Sequence, residues 1–174
     1  MVVTEEFLNV IDTGDLPGLG PDQRTSVRSI AELGQTVNAL CLSPSTTSLA
    51  RSAALLWHDY LDASHDVSQD LLSADGSFLH GIMHRREPDY SNAKYWFRRA
   101  GDHSSYPLLA SQVAAYLSDT GNEDLAKCLV PGGHWDPFAF VDAVELSVNT
   151  GQNINVLQNI QRLEFKSLVT SFLS

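Results

Sequence analysis

The chain has 174 residues, enough for one domain that buries roughly two-thirds of its unfolded surface, and its 43% hydrophobic and 18% charged content excludes a disordered chain. A formal net charge of −10 speaks against nucleic acid or an anionic membrane as partner, because phosphate binding needs a basic surface. The start, Met1 to Leu8, has no basic segment leading into a long apolar one, and no run approaches the roughly 18 apolar residues of a membrane span; the expectation is a soluble, cytoplasmic protein.

Hydrophobic periodicity is helical nearly throughout, which predicts one all-α domain over 1–174, a bundle of about seven or eight helices. Thr4 with Glu5 and Glu6 begins a short helix ending near Thr13-Gly14, and Gly14 to Pro21 reads as a loop. Asp22 is placed to cap a second helix with Val27, Ile30, Leu33, Val37 and Leu40 on its apolar face, ended by Ser43-Pro44-Ser45. Thr46 or Thr47 opens a long helix through about Leu72, on which Leu49, Ala53, Leu56, Tyr60, Ala63 and Val67 recur every three or four residues. Ala74-Asp75-Gly76 marks a turn, with Asp75 as cap of a helix that Pro88 stops, since the residue before a proline resists the α region.

Asp89 caps the next helix, which runs to Ala100 and is closed by Gly101. Pro107 sits in the first turn of a helix to about Leu117, and Asn122 begins a short one ending before Pro131-Gly-Gly133. Asp136-Pro137 is an N-cap followed by proline at the first helical position, and Gly151 ends that helix. Ile154, Leu157, Ile160, Leu163, Phe165, Leu168, Val169 and Phe172 make an amphipathic C-terminal helix whose apolar face offers a homodimer contact. Cys41 and Cys128 lack CxxC spacing and read as small buried hydrophobes in a reducing compartment.

The densest chemistry lies between His80 and Arg99. Successive residues of a helix turn by about 100°, so His80, His84 and Glu87 at i, i+4 and i+7 share one face. His58, Asp62 and His65 repeat that spacing on the preceding helix. The short turn at Ser73–Gly76 predicts a central αα-hairpin, and both His65 and His84 then stand roughly 14 Å from the turn at about 1.5 Å per residue. His65 is expected to face His84, and Asp62 to lie near Glu87. Arg85, Arg86, Lys94, Arg98 and Arg99 are five of eleven Lys and Arg residues, a local cationic patch suited to a small anion.

Three chemistries fit these stripes. One is a buried polar network in a noncatalytic helical interaction module, with Arg85 and Arg86 paired to Glu87 and Asp89. Another is a metal-dependent enzyme with Zn or Fe on the histidines, although HxxxH alone is a weak signal and HExxH is absent. The reading adopted is a small-molecule enzyme of lyase, isomerase or cyclase type, without metal or other cofactor, acting on an anionic or enolisable substrate. His65, His80 and His84 would be acid or base, with Glu87 and Asp62 orienting them. Arg85 and Arg98 would hold the anion, Tyr95 and Trp96 would form an apolar wall, and Asn92, Asp89 and His58 would complete the substrate contacts.

The segments Leu56 to His65, His80 to Trp96 and Trp135 to Asp142 resemble a family of short microbial all-helical proteins. Its members carry a similar HxxxHRxExDxxNxxYW run, an earlier helix with a D-x-x-H element and a later WDPFxFVD block. The resemblance covers most of residues 55–165, including Glu164-Phe165, and draws attention to His65, His80, His84, Arg85, Glu87, Asp89, Asn92, Tyr95, Trp96 and Asp136. It implies a site and leaves the reaction open.

Overall fold

The computed structural model describes residues 3–174, and among them it contains ten α-helices, one 3-10 turn and no strand. The helices are α1 (Val3–Ile11), α2 (Ile30–Ala39), α3 (Pro44–Trp57), α4 (Leu61–Ser68), α5 (Ala74–Arg86) and α6 (Tyr90–Ala100). They continue with α7 (Tyr106–Asp119), α8 (Glu123–Leu129), the 3-10 turn Pro131–Gly133, α9 (Pro137–Thr150) and α10 (Ile154–Leu173). The all-α expectation holds. The count exceeds seven or eight, in part because the long helix expected up to Leu72 is two helices, broken at His58-Asp59-Tyr60.

That break has a tertiary cause. Asp59 takes a left-handed φ of 64°, which aspartate tolerates better than most residues. Its buried carboxylate accepts hydrogen bonds from the Arg24 amide (3.0 Å), Arg24 Nε (2.8 Å) and Arg86 Nη2 (2.7 Å). Arg86 Nη1 also donates to the Leu56 carbonyl at 2.8 Å, and the Arg24 guanidinium donates to that of Trp57. Two cations therefore bind carbonyls at the end of α3, that of Leu56 also accepting the Asp59 amide at 3.2 Å.

The same segment corrects the start of α2. The Arg24 amide is given to Asp59, the Arg28 amide to His58 Nδ1 (3.0 Å), and the Arg28 carbonyl accepts from Tyr60 Oη (2.9 Å). The helix begins only after Ser29, which forms a reciprocal capping box with Glu32. At α5 the cap is Ser73, whose Oγ accepts the Gly76 amide at 3.1 Å. Asp75 instead receives His103 Nε2 (3.0 Å) and Ser171 Oγ (2.9 Å). Asp89, Asp136 and Gly151 cap or close their helices as expected.

Every residue from Gly76 to Arg86 is buried, so α5 is wrapped on all sides and forms the axis of the fold. It packs most extensively on α6. Gly81 permits that approach: a Cβ there would stand 3.0 Å from the Phe97 ring. The C-terminal helix α10 contributes Phe165, Leu168 and Val169 to one hydrophobic cluster and Leu157 and Ile160 to the other. Its apolar face is thus covered within the chain, by α1, α3, α5, α7 and α9, and is not the free face on which the homodimer expectation relied. Cys41 and Cys128 are exposed, contrary to expectation; Cys41 lies in the left-handed turn after α2 and Cys128 on the short α8. No helix among the described residues is long and apolar enough to cross a membrane.

Candidate functional site

The α4–α5 hairpin forms, and it brings the two histidine stripes together as the matched heights predict. His80 and His84, one turn apart on α5, stack with ring centres 4.7 Å apart and planes 17° off parallel. His65 of α4 meets both edge-on, at 4.8 Å from His80 and 5.4 Å from His84. From α6, Trp96 stacks on His80 at 3.8 Å with planes 10° apart. One ring nitrogen from each of the three histidines lies within 4.8 Å of the others.

The protonation of His84 follows from its partners. Glu87, at the C-cap of α5, accepts from His84 Nδ1 at 3.0 Å, so that nitrogen carries the proton. Nε2 is then the acceptor for Asn92 Nδ2 at 3.2 Å. Burial lowers the His84 pKa below the ordinary imidazole value, the Glu87 carboxylate opposes that shift, and His65 adds to it. His80 is different. It is 2% exposed, and neither ring nitrogen has a hydrogen-bond partner among the described residues. Burial first, then His84 and His65, push its pKa down to about 3; the Ser68 backbone opposes this weakly without closing a hydrogen bond of ordinary geometry. His80 is therefore neutral at physiological pH, the form that offers a lone pair.

Glu87 and Asp62 line one shallow depression with Pro21, Asp59 and Leu61, about 240 Å³ in volume. Asp89 caps α6, its Oδ1 accepting the Asn92 amide at 3.2 Å, and so positions Asn92. Tyr95 is half exposed and meets Trp96 edge-on at 5.4 Å. Arg99 lies over both rings, 5.9 Å from Tyr95 and 5.3 Å from Trp96.

Several predicted members lie elsewhere. His58 ends α3 fully buried, its Nδ1 accepting from the Arg28 amide and its Nε2 bonded to the Ile11 carbonyl at 2.9 Å. The break at Asp59 removes it from the face of Asp62 and His65. Arg85 turns into the core, where Nη1 and Nη2 donate to Glu164 at 2.9 and 2.6 Å and Nη2 to Gln161 Oε1 at 3.2 Å. Its guanidinium also lies 4.4 Å from the Phe140 ring centre. Arg86 belongs to Asp59, so neither arginine pairs with Glu87 or Asp89. Arg98 is exposed, 5.7 Å from the Phe138 ring centre, and Lys94 pairs with Asp142 at 2.5 Å. The cationic run is dispersed around α5 and α6.

Arg24, Asp59 and Glu164 escaped the sequence reading as structural charges. Asp59 carried no local signal. Glu164 did, because it stands on the stripe Leu157, Ile160, Gln161, Glu164, Leu168, where a carboxylate needs a buried cation. No family profile, no curated protein and no solved structure matches this chain.

Proposed function

We propose that the chain is a metal-dependent small-molecule enzyme whose centre is the trio His65, His80 and His84. The observation that carries this reading is His80: two buried ring nitrogens without a partner, beside nitrogens of two further histidines within 4.8 Å. Leaving such groups unsatisfied costs free energy, and a coordinate bond is what a neutral imidazole can still make. Tetrahedral Zn²⁺ with bonds of about 2.0–2.1 Å needs nitrogens about 3.4 Å apart with converging lone pairs, so the stacked rings of His80 and His84 would turn toward His65 on loading. Glu87 on His84 Nδ1 matches the carboxylate that orients a ligating imidazole, leaving Nε2 for the metal as Asn92 gives way.

Three histidines leave a fourth position for water, whose pKa a divalent ion lowers to about 7. Asp62, which shares a depression with Glu87, would be the carboxylate to take its proton, Glu87 being held by His84 Nδ1. The reaction class is metal-assisted hydrolysis or hydration. A metal-free acid–base site remains the second reading, favoured by the 3.0 Å His84–Glu87 bond. It lacks an anion-binding half, because Arg85 and Arg98 face elsewhere. The two exposed free thiols fit a reducing compartment such as the cytoplasm.

Titration of the metal-free protein with Co²⁺ and Zn²⁺, with elemental analysis, tests the proposal. One ion per chain is expected, with the strong visible absorption of four-coordinate Co²⁺. His65→Ala and His80→Ala should each weaken binding roughly a hundredfold, and Glu87→Gln about tenfold or more. Binding no stronger than that of a His65→Ala/His80→Ala/His84→Ala variant would remove the metal centre from consideration.

A further inference from the structure

A second cavity lies outside the imidazoles' helix hairpin, where α1, the loop after it, the end of α3 and α10 meet. It encloses about 120 Å³. At about 10–15 Å³ per water-sized group this holds a ligand of roughly ten heavy atoms. Arg162 and Lys166, four residues apart on one face of α10, line it together with Asp12, Trp57, Leu16 and Phe165.

The charges there are not consumed by the fold. The carboxylates paired to Lys and Arg serve Arg24, Arg85, Arg86, Lys94 and Lys127; Arg162 and Lys166, like Arg28, Arg51, Arg98 and Arg99, make no ion pair among the described residues. Arg162 makes a single amide contact, to Asn159 Oδ1 at 3.2 Å. The Trp57 ring forms part of the wall, its side chain only 7% exposed and its indole N–H turned away from the open space. Asp15, which also lines the cavity, is occupied by Thr13, Arg24 and Ser26. Asp12 gives one oxygen to the Gly14 amide and keeps the other.

The cavity therefore offers two cations, one carboxylate, and an apolar wall of Leu16, Trp57 and Phe165. We infer that it binds a small zwitterion of amino-acid type: carboxylate toward Arg162 and Lys166, ammonium toward Asp12, side chain against the aromatic wall. Asp12 would repel a plain anion, and the paired cations would repel a plain amine. The pocket shares no residue with the histidine cluster and does not depend on metal there.

The test follows the Trp57 indole N–H signal by heteronuclear NMR, assigned through Trp57→Phe, during titration with L-leucine, L-glutamine and L-glutamate. The controls are 4-methylpentanoate, which lacks the amine of leucine, and 3-methylbutylamine, which lacks its carboxylate. The expected result is saturable movement with at least one amino acid, and binding at least tenfold weaker for each control. Arg162→Ala and Asp12→Asn, both outside the core, should each weaken the amino acid at least tenfold, while His80→Phe leaves it unchanged. No movement with any of the three amino acids, or equal binding of the des-amino acid, overturns the assignment.

Discussion

Three consecutive side chains of α5, His84, Arg85 and Arg86, leave the helix about 100° apart and meet different environments. Arg85 and Arg86 are buried as deeply as the histidines, yet their guanidiniums are engaged: Arg85 by Glu164 and Gln161, Arg86 by Asp59 and the Leu56 and Gly20 carbonyls. Only Arg85 Nε lacks a partner among the described residues. The imidazoles on the neighbouring face are packed against one another and a tryptophan, and His80 has both nitrogens bare. Buried charge that is answered within the chain holds helices together. Buried polarity left unanswered, where an apolar ring would pack as well, points to something outside the chain.

The largest test of the answered half is Glu164→Ala. It strands the Arg85 guanidinium in the core, and breaking a buried pair in this way costs about 3–5 kcal/mol. For a chain of this size that is a melting temperature lower by roughly 10 °C. Arg85→Met with Glu164→Leu should recover most of the loss, since a hydrophobic pair of similar volume often replaces a buried ion pair without penalty. An unchanged urea midpoint for Glu164→Ala would show that the pair holds nothing, and the contrast with the histidines would lose its first term.

Acid should reach the Asp59 junction next. Burial works to raise the Asp59 pKa and is outweighed by Arg24 and Arg86, which hold it below the usual carboxylate value. A carboxyl depressed in the folded state contributes stability that is complete above its unfolded pKa of about 3.9 and drains away as pH falls through the folded value. Urea midpoints followed from about pH 6 down by roughly four units should fall steeply below about pH 4. In Asp59→Asn the protein starts less stable and that part of the fall is absent.

The junction also shows why part of the fold escaped the sequence. Apolar periodicity and local caps exposed the helices that depend on neighbours in the chain: Asp89, Asp136-Pro137 and Gly151 stand where the reading put them. The breaks at 22–29 and 58–60 depend on Arg24 finding a carboxylate 35 positions away, which no local pattern records. At the site, the equal distance of His65 and His84 from the turn was enough to bring His65 onto His80 and His84, although the break at Asp59 took His58 out of the stripe. The arginines were misplaced by treating sequence neighbours as spatial neighbours, although adjacent helix positions diverge by about 100°. The Glu164 stripe was legible and pointed to the partner that Arg85 uses.

The unanswered half predicts a change of the opposite sign. His80→Phe removes two unpartnered nitrogens and keeps a flat ring against His84 and Trp96. Relieving buried, unsatisfied polar atoms is worth about 1–3 kcal/mol, so with both proteins metal-free the variant should unfold at higher urea than the parent, and it should not take up the ion. A gain in stability with loss of binding is the signature of a residue kept for function. Loss of stability without any metal binding in the parent would place His80 with the struts.

The smallest effect belongs to Arg98→Ala, and it separates the spatial reading from the linear one. On the sequence Arg98 belongs with the histidines as an anion anchor; in the fold it is an exposed side chain over Phe138, on a different surface of α6 from Asn92. Truncating an exposed side chain without an ion pair shifts stability by no more than about 0.5 kcal/mol. Metal affinity should be unchanged, and so should catalysis on any substrate held at the histidine centre. A marked loss of turnover in this variant, with metal retained, would mean that the substrate bridges the two surfaces and that the cationic run acts as the single patch its spacing first suggested.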